Sequence, residues 1–450
     1  MNDTIVAIAT SSGVGAISII RVSGNKSIEI VNKVFDKDLT KKETHTITYG
    51  HIIDNNEVVD EVLVTIMKGP KSFTTEDVVE INTHGGYATT KEVLELLLTK
   101  GCRLALPGEF TQRAFINGRI DLLEAESVMD LINSKTKKES SLALNQLQGR
   151  VSIIIDELRN ELLDIDSNIN VNIDYPEYED IKVYEVEDLK PKIEKIEEKL
   201  HKILNESNNG KIIKEGIKTA IIGKPNVGKS SLLNCLLEEE KAIVTDIAGT
   251  TRDIVEGEII LDGIKLNIID TAGIRNTTDI VESIGVKKSI ETIEKSDLVL
   301  YMLNNNEKIT DEDYEILGKL KNKNYIIIIN KIDLETKINL EKINTDNVIY
   351  LSILENKGIE ELKNKIIKMF NINQLETKDL TYLSSARSIA LVKQTIESLN
   401  DVKNGIDNNL PIDMIEIDIK AMIDLLGQIT GKTYQNDLLD KLFSNFCLGK

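Results

Sequence analysis

The chain has 450 residues and a formal net charge of −19 at pH 7. This length is enough for two or three domains with separate hydrophobic cores, and the acidic balance excludes a generally basic protein that coats nucleic acid, so any contact with RNA has to be local. The three cysteines, Cys102, Cys235 and Cys447, show no metal-ligand spacing and favour a reducing compartment, which predicts a cytoplasmic protein. No apolar run reaches the ~20 residues that cross a membrane.

The first 118 residues predict an α/β domain, because short β-type runs at residues 5–9 and 78–82 alternate with helical runs. From residue 119 apolar residues recur at helical spacing, which predicts the first part of a helical domain over residues 119–213. Pro176 interrupts this pattern, and the polar residues 205–210 are typical of a linker.

Residues 214–373 alternate apolar strand-like runs with helical runs, which predicts a βαβ domain with a largely parallel sheet. Asp262-Gly263 between two β-type runs indicates a type I′ hairpin, and hence one antiparallel pair at the edge of that sheet. Helical periodicity returns over residues 374–450. The simplest architecture is a multidomain α/β plus α chain in which residues 214–373 are inserted into one helical domain, and two independent helical domains are the alternative.

The stretch from Gly223 to Ser230 matches the complete phosphate-binding loop pattern G-x-x-x-x-G-K-[ST]. Its two glycines allow backbone N–H groups to face phosphate oxygens, Lys229 can reach the β- and γ-phosphates, and Ser230 offers a hydroxyl to magnesium. A strand-like run precedes the loop and a helical run follows it, so the positive end of a helix dipole points at the phosphates. The pattern predicts a nucleoside triphosphate site.

Further motifs follow in the order typical of GTPases. Asp270 begins Asp270-Thr271-Ala272-Gly273 at the position of an acid that helps to hold magnesium, and Thr251 is the switch threonine expected to complete the magnesium shell. Asp333 ends Asn330-Lys331-Ile332-Asp333 and can accept hydrogen bonds from two N–H groups of guanine, a pair that adenine lacks. The set predicts a Ras-like P-loop GTPase domain with GTP as substrate.

Ile274 occupies the position where many GTPases carry the glutamine that orients the attacking water. An apolar side chain cannot orient water. Either hydrolysis is very slow, or another group positions the water and the charge stabilisation of an arginine finger, worth ~10³–10⁵ in rate, comes from elsewhere.

In its motifs and their order the whole chain resembles the MnmE (TrmE) family of tRNA-modification GTPases. The resemblance covers the N-terminal domain and the GTPase domain as well as the C-terminus. The residues that carry it are Asn226 in the loop, Gly249 to Asp253, Asp270 to Arg275, Glu282-Ser283-Ile284-Gly285, the C-terminal Phe446-Cys447-Leu448-Gly449-Lys450, and, in the N-terminal domain, Asp3-Thr4-Ile5-Val6-Ala7 and Pro107-Gly108-Glu109-Phe110-Thr111. The resemblance implies a potassium-dependent GTPase that acts with a flavoprotein of the MnmG (GidA) type to add a carboxymethylaminomethyl group to C5 of the wobble uridine in certain tRNAs. It also implies a homodimer, a heterotetramer with the flavoprotein, and FAD only on that partner.

The resemblance adds detail to the GTP site. A potassium ion would replace the arginine finger when two GTPase domains meet, and this dimerisation would activate a high intrinsic GTP hydrolysis. The potassium ligands would be Asn226, Thr245, Ile247 and Thr250. The magnesium ligands would be Ser230 and Thr251. Glu282 would orient the water, which makes Glu282, Lys229 and Asn226 the catalytic residues, although a solvated acid is the simpler interpretation of Glu282 from the residues alone. The full predicted GTP-binding set is Gly223, Asn226, Val227, Gly228, Lys229, Ser230, Ser231, Thr245, Asp246, Ile247, Ala248, Gly249, Thr250, Thr251, Asp270, Thr271, Ala272, Gly273, Asn330, Lys331, Ile332, Asp333, Ser352, Ile353 and Leu354.

For residues 1–118 the resemblance implies a dimerisation domain that binds 5-formyltetrahydrofolate or a related folate through Arg21, Glu80, Arg119 and Lys450. Carboxylate and guanidinium groups suit the pterin N–H groups and the carboxylated tail of such a ligand. Cys447 is either a thiol that takes part in the modification chemistry or a small apolar residue near the C-terminus.

A GTPase of the Era or Der type, which binds ribosomal RNA during ribosome assembly, is the alternative function. Such a protein carries an RNA-binding module or a second GTPase domain, and here the sequence shows no basic stripe or aromatic RNA-stacking motif.

Overall fold

The computed structural model describes residues 3–11, 13–174, 186–239, 257–269, 290–340, 343, 345–372, 383–434 and 436–449. The chain forms two compact units, the first comprising residues 1–132, 146–200 and 390–450 and the second residues 133–145 and 201–389. In sequence, the main segment of the second unit therefore lies between segments of the first.

The strands are β1 (Ile5–Ile8), β2 (Ile17–Ser23), β3 (Thr46–Asp54), β4 (Glu57–Met67), β5 (Val78–His84), β6 (Arg103–Leu104), β7 (Ile217–Gly223), β8 (Gly257–Leu261), β9 (Ile264–Ile269), β10 (Leu298–Asn304), β11 (Asn324–Asn330) and β12 (Val348–Tyr350). The helices are α1 (Ser27–Asn32), α2 (Tyr87–Thr99), α3 (Glu109–Ile116), α4 (Leu122–Asn133), α5 (Lys137–Leu147), α6 (Arg150–Asp174), α7 (Val186–Glu215), α8 (Lys229–Glu239), α9 (Asp311–Leu320), α10 (Ile359–Met369), α11 (Ala386–Asp407), α12 (Ile412–Thr430) and α13 (Asn436–Phe443). Among the described residues, no helix is both long enough and apolar enough to cross a membrane.

The N-terminal sheet has the strand order β3-β4-β5-β2-β1-β6, and its neighbours are antiparallel except for β1 and β6. Alternate residues point to opposite faces of a strand, and the two faces of this sheet differ. One face, with Ile20 and Val64, packs in a core with residues of α1 and α2. On the other face Ile47, Tyr49 and Leu63 are 64%, 51% and 43% exposed.

Helical segments that precede and follow the second unit in the sequence pack together within the first unit. α6 lies along α12. Lys199 on α7 pairs with Glu161 on α6 at 2.5 Å, and Glu197 on α7 pairs with Lys403 on α11 at 2.8 Å. These contacts favour one helical domain over two independent ones; the exact boundaries at residues 118, 213 and 373 stay predictions.

The second unit contains a six-stranded sheet in the order β12-β11-β10-β7-β9-β8. Its neighbouring strands are parallel except for β8 and β9 at one edge. Asp262 and Gly263 join that pair with φ of +47° and +77°. Both angles are positive, as a type I′ turn requires, so the predicted hairpin is confirmed.

The predicted linker at residues 205–210 is wrong, because α7 continues through it to Glu215. Ile203 and Ile213 are buried on either side of this stretch. Ser207 is also buried, and its hydroxyl donates to the carbonyl oxygen of Ile203 at 2.7 Å while accepting from the N–H of Leu383 at 3.2 Å. Tertiary burial thus outweighs the weak helix propensity of the asparagines and serine.

Candidate functional site

The phosphate-binding loop joins the end of β7 at Gly223 to the start of α8 at Lys229. Gly223 and Gly228 have φ of +149° and +105°, a backbone conformation in which any residue with a side chain is strained. A Cβ at Gly223 would also lie 2.5 Å from the carbonyl oxygen of Met302. Asn226 has φ of +61°, in the left-handed region that asparagine tolerates. The loop therefore has the backbone that its glycine pattern predicts.

Lys229 lies against this loop. Its Nζ donates to the carbonyl oxygens of Gly223 and Lys224, each at 2.8 Å. Burial lowers the pKa of the Lys229 ammonium. Because an ammonium has three donors, these contacts hold the side chain in place and leave donor capacity for a phosphate oxygen. The predicted magnesium ligand Ser230 is the second residue of α8.

The residues predicted to recognise guanine are tied directly to the phosphate-binding loop. Asn330, at the end of β11, donates from Nδ2 to the carbonyl oxygen of Val227 at 2.8 Å. Lys331 has φ of +64° and donates from Nζ to the carbonyl oxygen of Asn226 at 2.8 Å. These two bonds hold the segment predicted to recognise guanine beside the phosphate-binding loop.

Asp333 is positioned by the loop that follows β12. The hydroxyl of Ser352 donates to Oδ1 of Asp333 at 2.6 Å. The N–H of Ile353 donates to Oδ1 of Asn330 at 3.4 Å, and Ile353 packs against the core of this unit. Leu354 is 88% exposed. The structure therefore brings all the described members of the predicted guanine set together at one edge of the sheet.

The remaining predicted GTP-site residues lie outside the described part of the chain. They are Thr245, Asp246, Ile247, Ala248, Gly249, Thr250, Thr251, Asp270, Thr271, Ala272, Gly273 and Glu282. Of the four predicted potassium ligands only Asn226 is described, and of the two magnesium ligands only Ser230.

The N-terminal domain brings three of the four predicted folate residues to one region. Arg21 and Glu80 are opposite one another on β2 and β5, and Nε of Arg21 donates to Oε1 of Glu80 at 2.8 Å. Nη1 of Arg21 also donates to the carbonyl oxygen of Gly449 at 3.1 Å. Lys450 lies outside the described residues, but its neighbour Gly449 is therefore held at this pair.

Two aromatic rings that sequence reasoning missed connect this pair with Arg119. The Arg21 guanidinium lies 5.7 Å from the ring centroid of Phe110, and the Arg119 guanidinium lies 4.9 Å from that of Phe73. Phe73 packs against the apolar cluster that contains Phe110. Arg119 also donates to the carbonyl oxygen of Phe73 at 3.0 Å. Phe110 lies in the run Pro107-Gly108-Glu109-Phe110-Thr111, and this run is the sequence signal that could have identified Phe110 as a site residue.

Cys447 has an exposed side chain, and its carbonyl oxygen accepts a hydrogen bond from the N–H of Gly108 at 3.3 Å. This bond and the one from Arg21 to Gly449 hold the C-terminal segment against the N-terminal domain. The part of Cys447 in the modification chemistry stays a prediction.

Residues 4–119 match the family described as GTP-binding protein TrmE N-terminus, and residues 122–447 match the family described as MnmE helical domain. The tRNA modification GTPases MnmE of Bacillus cytotoxicus and Streptococcus thermophilus are each 50% identical to the chain; the alignments cover 100% of this chain and 99% and 98% of those proteins. The solved G-domain of FeoB from Methanococcus jannaschii is 29% identical over 34% of this chain and 98% of its own, with a TM-score of 0.26, too low to support an inference. The matches confirm the predicted family and the prediction of a GTP-hydrolysing enzyme. The chain belongs to the MnmE (TrmE) family of tRNA modification GTPases.

Proposed function

We propose that this chain is a potassium-dependent GTPase that acts with an MnmG-type flavoprotein to add a carboxymethylaminomethyl group to C5 of the wobble uridine of certain tRNAs. The observation that carries the GTPase part is the link between two loops: Asn330 and Lys331 of the guanine motif each bond to a carbonyl oxygen of the phosphate-binding loop at 2.8 Å. The relatives that share the full length are named tRNA modification GTPases, which favours this function over ribosome assembly.

The donor set of the phosphate-binding loop fits GTP with magnesium. Glycines at +149° and +105° expose the backbone for close approach by phosphate, and Lys229 supplies a positive charge beside it. The hydroxyl of Ser230 is a suitable oxygen ligand for magnesium, with Thr251 as the second, and the bound ion would neutralise charge that develops on the phosphates. Asp333 would bind the N–H groups of guanine.

Potassium is proposed to take the place of an arginine finger when two GTPase domains of a homodimer meet. Asn226, the described member of the predicted ligand set, has an exposed side chain on a backbone that Lys331 holds in place. An amide oxygen on a fixed loop suits a hard cation that prefers oxygen ligands. Thr245, Ile247 and Thr250 would complete the site, and Glu282 would orient the attacking water.

The homodimer is proposed to form through the part of the N-terminal sheet where the apolar side chains of β3 and β4 are exposed. Ile47 and Tyr49 on β3 lie beside Leu63 on β4, and all three are exposed. Exposed apolar side chains grouped on neighbouring strands are typical of a surface that contacts a partner protein. A reducing cytoplasm, where tRNA is modified, suits the three free cysteines.

The tRNA-modifying role is tested by mass analysis of wobble nucleosides. We expect tRNA from cells that lack this chain to lose the carboxymethylaminomethyl nucleoside, the wild-type chain to restore it, and Lys229→Met not to restore it, because the variant lacks the charge that binds the triphosphate. Exposed Lys319, in the last turn of α9, supplies the matched control, and Lys319→Met should restore the nucleoside. An unchanged nucleoside in cells without the chain would remove this function.

The folate site is proposed at Arg21, Glu80, Arg119 and Lys450. We expect Glu80→Gln to weaken binding of 5-formyltetrahydrofolate by about 10- to 100-fold, because charge-assisted hydrogen bonds from pterin N–H groups become neutral ones. The glutamine side chain keeps an oxygen acceptor for Arg21, so the pair of strands should stay intact. Calorimetric titration measures the affinity, and Glu92→Gln on the exposed face of α2 is the control. Equal affinity in Glu80→Gln and wild type would contradict the assignment.

A further inference from the structure

Lys224, a variable position of the phosphate-binding loop, makes a second set of contacts that the proposed GTP site does not use. Its Nζ donates to Oδ2 of Asp313 at 2.7 Å and to the hydroxyl of Thr310 at 2.6 Å. The side chain of Asp313 is only 3% exposed, whereas that of Lys224 is 30% exposed. The loop is thus held to the N-terminal end of α9 by a charge pair whose acid is buried.

Asp313 joins this contact to two further elements. Its Oδ2 accepts the N–H of Thr310 at 2.8 Å, which forms the capping box of α9, and its Oδ1 accepts the hydroxyl of Tyr301 at 2.7 Å. Burial by itself would raise the pKa of Asp313, but the bonds from Lys224, Thr310 and Tyr301 outweigh burial and lower it. Tyr301 lies on β10, next to β7 in the sheet. The carboxylate is therefore fixed from three sides.

The same lysine is connected to the phosphate-binding lysine through its main chain. The carbonyl oxygen of Lys224 accepts a hydrogen bond from Nζ of Lys229 at 2.8 Å. A path of direct contacts therefore runs from the start of α9, through the side chain and carbonyl of Lys224, to the ammonium of Lys229. A shift of Lys224 would move one of the acceptors that orient that ammonium.

The stability of the domain does not explain the arrangement by itself. The desolvation cost of a buried carboxylate offsets much of its attraction to lysine, so a pair of this kind contributes little net stability, although it strongly restricts geometry. The benefit of restricted geometry is largest where a reacting group has to be held within a fraction of an ångström.

We propose that Lys224 and Asp313 form a positioning pair that orients Lys229 for the β- and γ-phosphates of the nucleotide. The proposal rests on the GTPase function and adds residues to its phosphate site. Lys224 acts through the position of its own carbonyl oxygen, and Asp313 acts through Lys224.

The test measures binding of a fluorescent GDP analogue and steady-state GTP hydrolysis by the full chain. Lys224→Met should weaken GDP binding by about tenfold and raise KM for GTP similarly with a smaller change in kcat, because ground-state and transition-state contacts to the phosphates are lost together. Lys224→Arg retains the charge for Asp313 and should restore affinity to about twofold of wild type. Lys319→Met, the same substitution at an exposed site on α9, should match wild type.

A double-mutant cycle tests whether Lys224 and Asp313 act on GDP affinity along one path. Lys224→Met with Asp313→Asn should lose no more affinity than Lys224→Met alone, since both changes break one path. Wild-type GDP affinity in Lys224→Met, or additive losses in the double variant, would overturn the proposal while leaving an active wild-type GTPase intact. A wild-type chain that fails to hydrolyse GTP would instead overturn the proposed function.

Discussion

Replacing Asp333 with asparagine should change the base that the enzyme prefers from guanine to xanthine. The carboxylate of Asp333 offers acceptors only, which matches the two adjacent N–H groups of guanine. Asparagine offers one acceptor and one donor, which matches the N–H and C=O of xanthine and opposes a donor to a donor in guanine. We expect the KM for GTP to rise by ~100-fold or more and XTP to become the better substrate. The reason is that the variant loses a charge-assisted hydrogen bond to guanine and leaves one guanine N–H donor unpaired.

Ser352 provides the matched control for this switch, because its hydroxyl donates to Oδ1 of Asp333 at 2.6 Å without being a base-reading acceptor. Ser352→Ala should weaken GTP binding modestly, by about tenfold or less, and leave guanine preferred over xanthine. Hydrolysis rates with GTP and XTP over a range of concentrations distinguish the two effects. If Asp333→Asn still prefers GTP, another group reads the base.

Replacement of potassium by sodium at constant ionic strength should lower the GTP hydrolysis rate by at least about tenfold, and by up to the ~10³–10⁵-fold that an arginine finger contributes. In the proposed site Glu282 orients the attacking water, which Ile274 cannot do, and potassium supplies the charge stabilisation that an arginine finger gives in other GTPases. Asn226→Gly tests the ligand directly. Glycine accepts the +61° backbone of this position and removes only the amide side chain, so the loop should keep its shape.

The Asn226→Gly variant should hydrolyse GTP at the same low rate in potassium and in sodium, while its affinity for GDP stays within about threefold of wild type because the backbone contacts to phosphate are preserved. Phosphate release at saturating GTP measures the rate, and fluorescent GDP measures the affinity. Equal rates of the wild-type chain in both salts would remove the catalytic role of potassium. A variant that is still faster in potassium would place the ion elsewhere than at Asn226.

The residues of the phosphate-binding and guanine motifs could be predicted from the sequence because their chemistry is local. In the loop, glycine spacing, backbone conformation and the lysine that follows belong to a single turn between a strand and a helix, and Gly223 and Gly228 have the positive φ that this turn requires. The Asp262-Gly263 hairpin was predictable for the same reason. Residues 205–210 were not, because polar residues of low helix propensity became helical through burial of their neighbours.

Only the tertiary structure decided which distant side chains meet. Arg21 contacts Glu80 and also the carbonyl oxygen of Gly449, which is 428 residues further along the chain. The guanidinium groups of Arg21 and Arg119 lie over the rings of Phe110 and Phe73, respectively. Lys224 pairs with Asp313 because β10 lies next to β7 in the sheet and α9 begins beside the loop that follows β7.

The sequence by itself therefore determined the family, the phosphate-binding loop and the residues that match guanine, since each depends on the order of neighbouring residues. The pairing of Arg21 with Glu80, the positions of Phe110 and Phe73 and the pairing of Lys224 with Asp313 depended on strand order and helix placement. Strand order and helix placement are set by the burial of whole sheets and helices. That burial adds up many weak contacts between residues far apart in the chain, so it cannot be inferred from a short stretch of sequence.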